Sequence, residues 1–500
     1  MYNNVLEYLE YTVKKMPEKV AFSDEKNKLT FFELYNAAKN IGTYLYKKGH
    51  YKEPVVVFME KSSYEICAFL GAVYGGCYYV PVHKDMSEYR IMLILQKING
   101  KAVICDKYTK DFLKNIYNGN IYEFEEIIKY KGEEEVLDII RRKHIDTDPL
   151  YMVFTSGTTG GQKGVVVSHK SVIDYIEQLT DTLGFNENTV FANQSPFYLD
   201  ACLKEIYSTI MCGGTTYIMP EGIFRFPVKV VEYLNHNKIN TICWCSSALS
   251  IVSGSGILWD LSPKYLKTVA FGGEILPVKE LNKWKNAIPE CNFYNLYGPT
   301  EATGMSCYYK VQREFSDDET IPIGRPFKNT QIILLDENNQ IAEQGNPGEI
   351  CIRGTCLALG YYGENNKTND AFVINPLNDI YPEIIYRTGD MGKYNDKGEL
   401  VFVCRKDNRI KRMGYRIQLE DIEEAADKIA GVTGRCCIYD NNRLVLCYSG
   451  NIEEHQLITT LKKLLPVYMI PDRIVNIKKI PLMPGGKTDR KKIIEIIKNI

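Results

Sequence analysis

Neither sign of charge dominates these 500 residues: 61 Lys and Arg stand against 62 Asp and Glu, a net of −1. A chain so balanced lacks the basic field that nucleic-acid binding needs, so no nucleic-acid partner is expected. Long apolar runs are missing too. Ile66–Val82 carries no charge, but Gly71, Gly75, Gly76 and Pro81 interrupt it and it is short for a membrane span. It reads as a buried helix, a turn and a strand. The opening MYNNVLEYLE is amphipathic rather than the apolar core of a secretion signal. Cysteine is not scarce, at 15, yet no CxxC pair and no Cys/His cluster at zinc spacing occurs. Cys243–Cys245 and Cys436–Cys437 read as small buried hydrophobes. A reducing cytoplasm, without membrane attachment, is the expected setting. Internal repeats and low-complexity segments are absent as well.

What is present is an ordinary globular composition, 45% apolar and 25% charged, in a chain too long for one core. The charge is uneven. Residues 401–500 hold 19 Lys and Arg against 12 Asp and Glu, a net of +7, which leaves −8 on the rest. A basic C-terminal portion suits an acidic partner.

Strand-like runs alternate with helical ones through the first 400 residues. VVVFME (55–60) precedes a helical SSYEICAFLGAVYGG, then YYVPV; KAVICD (101–106) follows a helical YRIMLILQKI. TVFANQS, TTYIMP, INTICWC and KTVAFGG read as further short buried strands. This rhythm predicts an α/β fold with predominantly parallel sheets covered by helices. Residues 321–403 are richer in Gly, Asn and Pro and carry short alternating runs, QIILLD, GEICIRG and ELVFVC, which predict a β-rich subdomain. After Asp407, RIKRMGYRIQ reads as strands, LEDIEEAADKIA and HQLITTLKKLLP as helices, and RLVLCYSG as a strand.

One stretch carries the most chemistry. In Tyr151–Gly164, YMVFTSGTTGGQKG, an apolar run empties into a loop of Ser, Thr and Gly followed by one Lys. Backbone N–H groups, hydroxyls and a cation gathered there make a good environment for a polyphosphate. It is not a Walker A loop, because Gln162 stands where the second Gly would be and Gly164, not Ser or Thr, follows Lys163.

The stretch resembles the phosphate loop of adenylate-forming enzymes, usually Thr-Ser-Gly-Thr-Thr-Gly-x-Pro-Lys-Gly. These include acyl-CoA synthetases, luciferases and the adenylation domains of nonribosomal peptide synthetases. Gln162 replaces the usual Pro and implies a looser loop. Further motifs follow in family order over nearly the whole chain: LTFFELYNAA (29–38), LGAVYGGCYYVPV (70–82), NLYGPTEAT (295–303), GEICIRG (348–354), YRTGD (386–390), CRKDNRIKRMGYRIQLEDIE (404–423) and PGGKTDR (484–490). The resemblance implies a large N-terminal core, 1–404, containing the β-rich subdomain at about 321–403. A small mobile α+β domain, 408–500, would follow a hinge at Asp407.

The family's reaction has two parts. A carboxylate attacks the α-phosphate of ATP to give an acyl-AMP and pyrophosphate, and a thiol then takes the acyl group. Because the first step joins two anions, it needs cations and fixed dipoles where charge builds up. The resemblance implies that Thr155, Ser156, Gly157, Thr158, Thr159, Gly160 and Lys163 hold the β- and γ-phosphates. Tyr297 would stack on adenine, Thr300 would meet the α-phosphate and Glu301 would hold Mg²⁺, as a hard oxygen ligand can. Read alone, the same YGPTE is equally a Gly-Pro turn before a capped helix. Asp390 would take both ribose hydroxyls, as one carboxylate can, with Arg405 nearby. Lys487 resembles the mobile catalytic lysine of the first step. For the second, the segment around Lys411–Tyr415 would face the site, with Gly414 allowing close backbone approach.

Asp200 aligns with the Asp that pairs the α-amine in amino-acid-activating members; a buried ammonium needs a counter-ion. Leu199 stands where many relatives have an aromatic. By the same alignment Ala201, Lys204, Ser247, Ala270, Gly272, Leu296, Gly304 and Met305 line the side-chain pocket. Lys204 is the odd member. Pointing inward it calls for an acidic substrate; turned outward to snorkel it leaves room for a small one, such as D-alanine.

The expected function is ATP-dependent activation of an amino acid and transfer to the phosphopantetheine thiol of a carrier protein. No carrier-like segment follows Lys487, so the carrier is expected to be separate. The rival readings are a D-alanine–carrier protein ligase, an acyl- or aryl-CoA ligase, against which Asp200 argues, and a non-catalytic nucleotide-binding protein. Against the last, Lys163, Glu301, Asp390 and Lys487 are all intact.

Overall fold

The computed structural model describes every residue except 1, 100–101, 156–161, 318, 408, 441–442, 482–487 and 499–500. Its contacts divide the chain into two units. One comprises Met1–His83, Leu95–Phe154 and Gly164–Lys406; the other comprises Lys84–Ile94, Thr155–Lys163 and Asp407–Ile500. Two short N-terminal segments therefore group with the C-terminal part.

The larger unit is built on three sheets. In the nine-stranded sheet, Val20–Ser23, Thr215–Ile218, Val190–Asn193, Thr241–Cys245, Thr268–Gly272 and Asn292–Tyr297 run parallel in that spatial order. Antiparallel strands close both edges: Lys28–Thr30 on one side, Cys307–Lys310 and Arg325–Pro326 on the other. The seven-stranded sheet holds the parallel strands Pro54–Phe58, Tyr78–Val82, Ala102–Cys105 and Asn120–Glu123, together with Pro149–Thr155 and Lys163–Ser168. Val55, Val56 and Val57 are fully buried, as expected of a parallel strand covered on both faces.

The third sheet is antiparallel, from Thr330–Leu335, Gly348–Gly354, Ile384–Tyr394, Phe372–Ile374 and Leu400–Arg405. Two other short strands from this part of the chain pair elsewhere. Arg325–Pro326 joins the nine-stranded sheet, and Gly360–Tyr361 pairs with Val165 and Val166 of the seven-stranded one. Local composition marks these residues as β but does not say to which edge they pair.

Capping chemistry sets the helix starts. Thr30 and Glu33 form a reciprocal capping box that opens Phe31–Lys47. Ser168 caps His169–Leu183 by accepting from the Ser171 N–H, and Gly184, at φ +72°, ends that helix. Its buried face joins a large core cluster containing Tyr151, Tyr175, Phe197, Cys243, Ala270, Leu296 and Met305.

In the smaller unit, the hairpin Arg409–Arg412/Tyr415–Gln418 turns at Met413 and Gly414, both at positive φ. Helix Leu419–Asp427 follows, then the strands Val432–Asp440, Arg443–Gly450 and Arg473–Asn476 with helices Glu454–Leu464 and Arg490–Lys498. Cys436 and Cys437 are buried, and burial pushes the Cys436 thiol up to about 12. They serve as small hydrophobes, as does Cys243, whereas Cys245 is only half-buried.

Candidate functional site

The YRTGD motif is a bulge. Along the pair Gly348–Gly354/Ile384–Tyr394, Glu349 faces Met391 and Cys351 faces Arg387, so Ile350 alone faces Thr388, Gly389 and Asp390. Extra residues on one strand bend it and re-aim its side chains, and Gly389, at φ +72°, allows that turn. The backbone groups freed by the bulge are paired one by one. The Gly389 N–H donates to Glu349 Oε1 at 3.0 Å, and the Asp390 N–H donates to Thr388 Oγ1 at 2.9 Å. Thr388 Oγ1 donates to the Ile350 carbonyl at 2.7 Å, and Lys406 N–H to the Gly389 carbonyl at 2.8 Å.

Asp390 is thereby presented, 5% exposed, to two partners from its own unit. Tyr297 Oη donates to its Oδ2 at 2.7 Å, and the Arg405 guanidinium bonds its Oδ1. Burial, with Asp390 next, pushes the Tyr297 phenol well above its ordinary range, so it remains a donor. Arg405 Nη2 also reaches the Thr388 carbonyl at 3.1 Å. Beneath them, Glu349 accepts from Arg387 and Lys406. Burial pushes its carboxyl up, but those hydrogen bonds outweigh burial and hold it below its ordinary value. Three of the expected nucleotide residues, Tyr297, Asp390 and Arg405, are thus joined in one network. A carboxylate that accepts two bonds retains acceptor capacity for a hydroxyl pair.

The YGPTE turn folds back on itself. A Cβ on Gly298 would lie 2.4 Å from the Gly304 carbonyl oxygen, so that position admits only Gly. Thr303 sits at φ +55°, unusual for a β-branched residue; its hydroxyl donates to the Cys356 carbonyl at 2.6 Å. Thr300 opens a short 3-10 turn, Thr300–Ala302, instead of the longer capped helix the motif equally suggests. Glu301 is 1% exposed, and its Oε1 accepts from Tyr361 Oη at 2.9 Å. A carboxylate so shielded from water is a fitting hard ligand for a cation such as Mg²⁺.

Of the expected phosphate loop, Thr155 ends strand Pro149–Thr155 and Lys163 begins Lys163–Ser168. Thr155 Oγ1 is buried with no hydrogen-bond partner among the described residues, which fits a hydroxyl meant for a ligand oxygen. Ser156, Gly157, Thr158, Thr159, Gly160 and Lys487 lie outside the described residues. Asp407 bonds the Arg409 backbone N–H at 3.2 Å and its guanidinium.

The expected amino-acid pocket falls in the larger unit. Asp200 opens the turn Asp200–Cys202, ahead of helix Leu203–Cys212. Ala270 lies on Thr268–Gly272, paired with Cys243 and Tyr294. Gly272 faces Leu296 so closely that a Cβ would sit 2.2 Å from the Leu296 carbonyl oxygen. Ala270, Leu296 and Met305 share one core cluster, while Ser247 donates to the Glu274 carboxylate. Lys204 does not turn outward. It is 4% exposed, and its ammonium donates to the Ala201 carbonyl at 2.8 Å.

Sequence reasoning missed what lies next to Lys204. Glu205 is fully buried, with Asn193 beside it, and neither side chain makes a well-formed hydrogen bond among the described residues. Burial pushes the Glu205 carboxyl up to about 7, against the pull of Lys204. Half-buried Lys61 lies within electrostatic reach of Glu205 and of the buried Glu65; burial lowers the Lys61 ammonium to about 8 and raises the Glu65 carboxyl well above its range. A Lys-Glu pair adjacent in sequence was the available signal. Tyr361, Thr388 and Glu349 were also missed; each acts through a contact distant in sequence.

Comparison with known proteins follows the same lines. A family model described as AMP-binding enzyme matches residues 9–362. Gramicidin S synthase 1 of Brevibacillus brevis is 29% identical over 97% of this chain and 44% of its own length. Tyrocidine synthase 1 of Brevibacillus parabrevis is 28% identical over 98% and 45%. The chain thus spans less than half of either relative. Among solved structures, a Vibrio cholerae adenylation domain in complex with glycyl-adenosine-5'-phosphate superposes with a TM-score of 0.85 at 19% identity, over 100% of this chain and 98% of that one. An artificially fused adenylation–PCP di-domain from Klebsiella oxytoca gives 0.82 at 20% identity, over 94% and 93%.

Proposed function

Because the chain belongs to the AMP-binding enzyme family and by that membership is an AMP-forming ligase, we propose that it activates an amino acid as its aminoacyl-AMP and passes it to a carrier protein's phosphopantetheine thiol. The acid's carboxylate attacks the α-phosphate of ATP; the new P–O bond forms as pyrophosphate leaves. The thiol sulfur then attacks the acyl carbon, and AMP leaves.

The observation that supports this most is the bulge that presents Asp390 between Tyr297 and Arg405. A carboxylate fixed in this way accepts the ribose hydroxyls with little reorganisation. Thr155 and Lys163, with Ser156–Gly160, take the outer phosphates. Glu301 and Thr300 take Mg²⁺ and the α-phosphate; Mg²⁺, when bound, neutralises developing phosphate charge. Asp200 takes the substrate amine, and the pocket runs from Ala201 to Met305. Lys487 bridges the substrate carboxylate and ribose in the first step, and rotation about Asp407 brings Lys411–Tyr415 to the second. The gramicidin and tyrocidine synthase relatives and the PCP-fused structural neighbour support a carrier as acceptor, as does the +7 surplus of residues 401–500.

The test is amino-acid-dependent ATP–pyrophosphate exchange with Mg²⁺, followed by loading of a holo-carrier added in trans. One strongly preferred amino acid is expected. Exchange only with aryl or fatty acids would overturn Asp200 as the amine partner. Lys487→Ala should lower exchange by about 10²–10³ while transfer from supplied aminoacyl-AMP changes much less. Equal loss in both half-reactions would remove Lys487 from its assigned role.

A further inference from the structure

We propose that Tyr175, outside the residues aligned to the pocket, is a specificity-determining residue that reads the far end of the substrate's side chain, and that the preferred amino acid ends in an oxygen acceptor. The inference rests on the amino-acid-activating reading above and specifies its substrate class.

Tyr175 lies on helix His169–Leu183 and is 3% exposed. Its hydroxyl is buried and has no hydrogen-bond partner among the described residues. Buried polar groups are nearly always paired, and leaving one unmade is costly. The hydroxyl therefore serves no evident packing purpose; Phe would fill the same volume.

The ring's position gives the hydroxyl a purpose. Gly304 stands at φ +81°, and a Cβ on it would sit 3.1 Å from Tyr175 Cε1 and 3.5 Å from Oη. The hydroxyl end of Tyr175 thus packs against the bare side of a pocket residue. Phe327 holds the ring edge-on, centroids 6.4 Å apart at 75°. Ala270, Leu296 and Met305 belong to the same packed cluster, as does Cys243. Cys243 and the carboxylate of Asp200 lie within electrostatic reach. Burial, then Cys243, Asp200 and Glu205, push the phenol well above its ordinary range, so it stays protonated and donates. Lys204, also buried, is near Cys243 and adds ammonium donors to the same neighbourhood. Two donor groups in one buried neighbourhood, the Tyr175 hydroxyl and the Lys204 ammonium, suit a carboxylate or a carboxamide.

The experiment compares wild type with Tyr175→Phe in ATP–pyrophosphate exchange, using glutamate, glutamine, aspartate, asparagine, methionine, leucine and both alanine enantiomers, together with thermal melts of the ligand-free proteins. Wild type is expected to prefer an acid with a side-chain carboxylate or carboxamide, and the panel separates the two. Tyr175→Phe should lower kcat/KM for that acid by about 10- to 100-fold and leave methionine or leucine within about twofold. Its melting temperature should equal or exceed that of wild type, because an unpaired buried hydroxyl has been removed. A wild-type preference for alanine or leucine would overturn the proposal. So would an unchanged acceptor-to-apolar ratio, or a uniform loss with a lowered melting temperature, which would mark the hydroxyl as structural. No exchange with any amino acid by wild type would overturn the function proposed above, and this proposal with it.

Discussion

Two polar regions inside the larger unit are built on opposite principles. Around Asp390, the backbone groups displaced by the bulge and the charged side chains beside them find partners: Thr388, Glu349, Arg387, Arg405, Lys406 and Tyr297 satisfy one another. At Tyr175, Tyr151, Glu205 and Asn193, equally buried polar atoms have no well-formed partner among the described residues. The first arrangement is a finished framework, rigid before any ligand arrives. The second keeps its hydrogen-bonding capacity unspent, as a site does when its ligand supplies the missing half. On the function proposed above, the first would hold the nucleotide and the second would choose among substrate side chains.

The sharpest way to break the comparison is Asp390→Ala. It removes the centre of the finished network and leaves the Arg405 guanidinium, 14% exposed, facing no carboxylate there. kcat/KM for ATP should fall by about 100-fold or more, and chemical denaturation should show a loss of about 3 kcal/mol. Normal ATP dependence would show that the network is scaffolding only.

Glu205→Gln probes the unfinished region through pH. The Glu205 carboxyl sits at about 7 when folded, against an ordinary value of 4.5, so folding favours its protonated form. Its contribution is fully present below about pH 4.5 and is lost as pH rises through about 7. The Gln variant should therefore match wild type near pH 4.5 and exceed it above pH 8 by at most about 3 kcal/mol. Losing the attraction to Lys204 works against this gain. Urea melts from pH 4.5 to 8 read it; a constant difference across that range would mean that Glu205 does not titrate in the window.

The smallest effects form a matched pair. Thr388→Val should cost about 1–3 kcal/mol, because it strands the Ile350 carbonyl and the Asp390 N–H. Tyr151→Phe should change stability by less than about 0.5 kcal/mol or raise it, since no protein group loses a bond. Equal costs in denaturant melts would erase the distinction between the regions.

The α/β rhythm was legible because buried parallel strands read as apolar runs, as in Val55–Val57 and Thr241–Cys245. The resemblance to adenylate-forming enzymes, not spacing by itself, implied that Tyr297, Asp390 and Arg405 belong to one set before any distance was known. Lys204 was ambiguous, since a long side chain at one helical position can point inward or snorkel. Only burial decided it. Tyr175 carried no signal at all: on its helix it is one more apolar-face residue, and its meaning comes from Gly304, far along the chain.

By itself, then, the sequence determined the class of fold and the order of the motifs, because these depend on local pattern; which residues would meet phosphate, ribose and amine was implied only by the family resemblance those motifs carry. The tertiary structure decided which edge each short strand joined, how a bulge aims Asp390, that Lys204 stays inside next to Glu205, and that the Tyr175 hydroxyl ends against Gly304 with no partner among the described residues. Those outcomes depend on which distant groups meet once water is excluded. That is a property of packing and pairing, and no local stretch of chain encodes it.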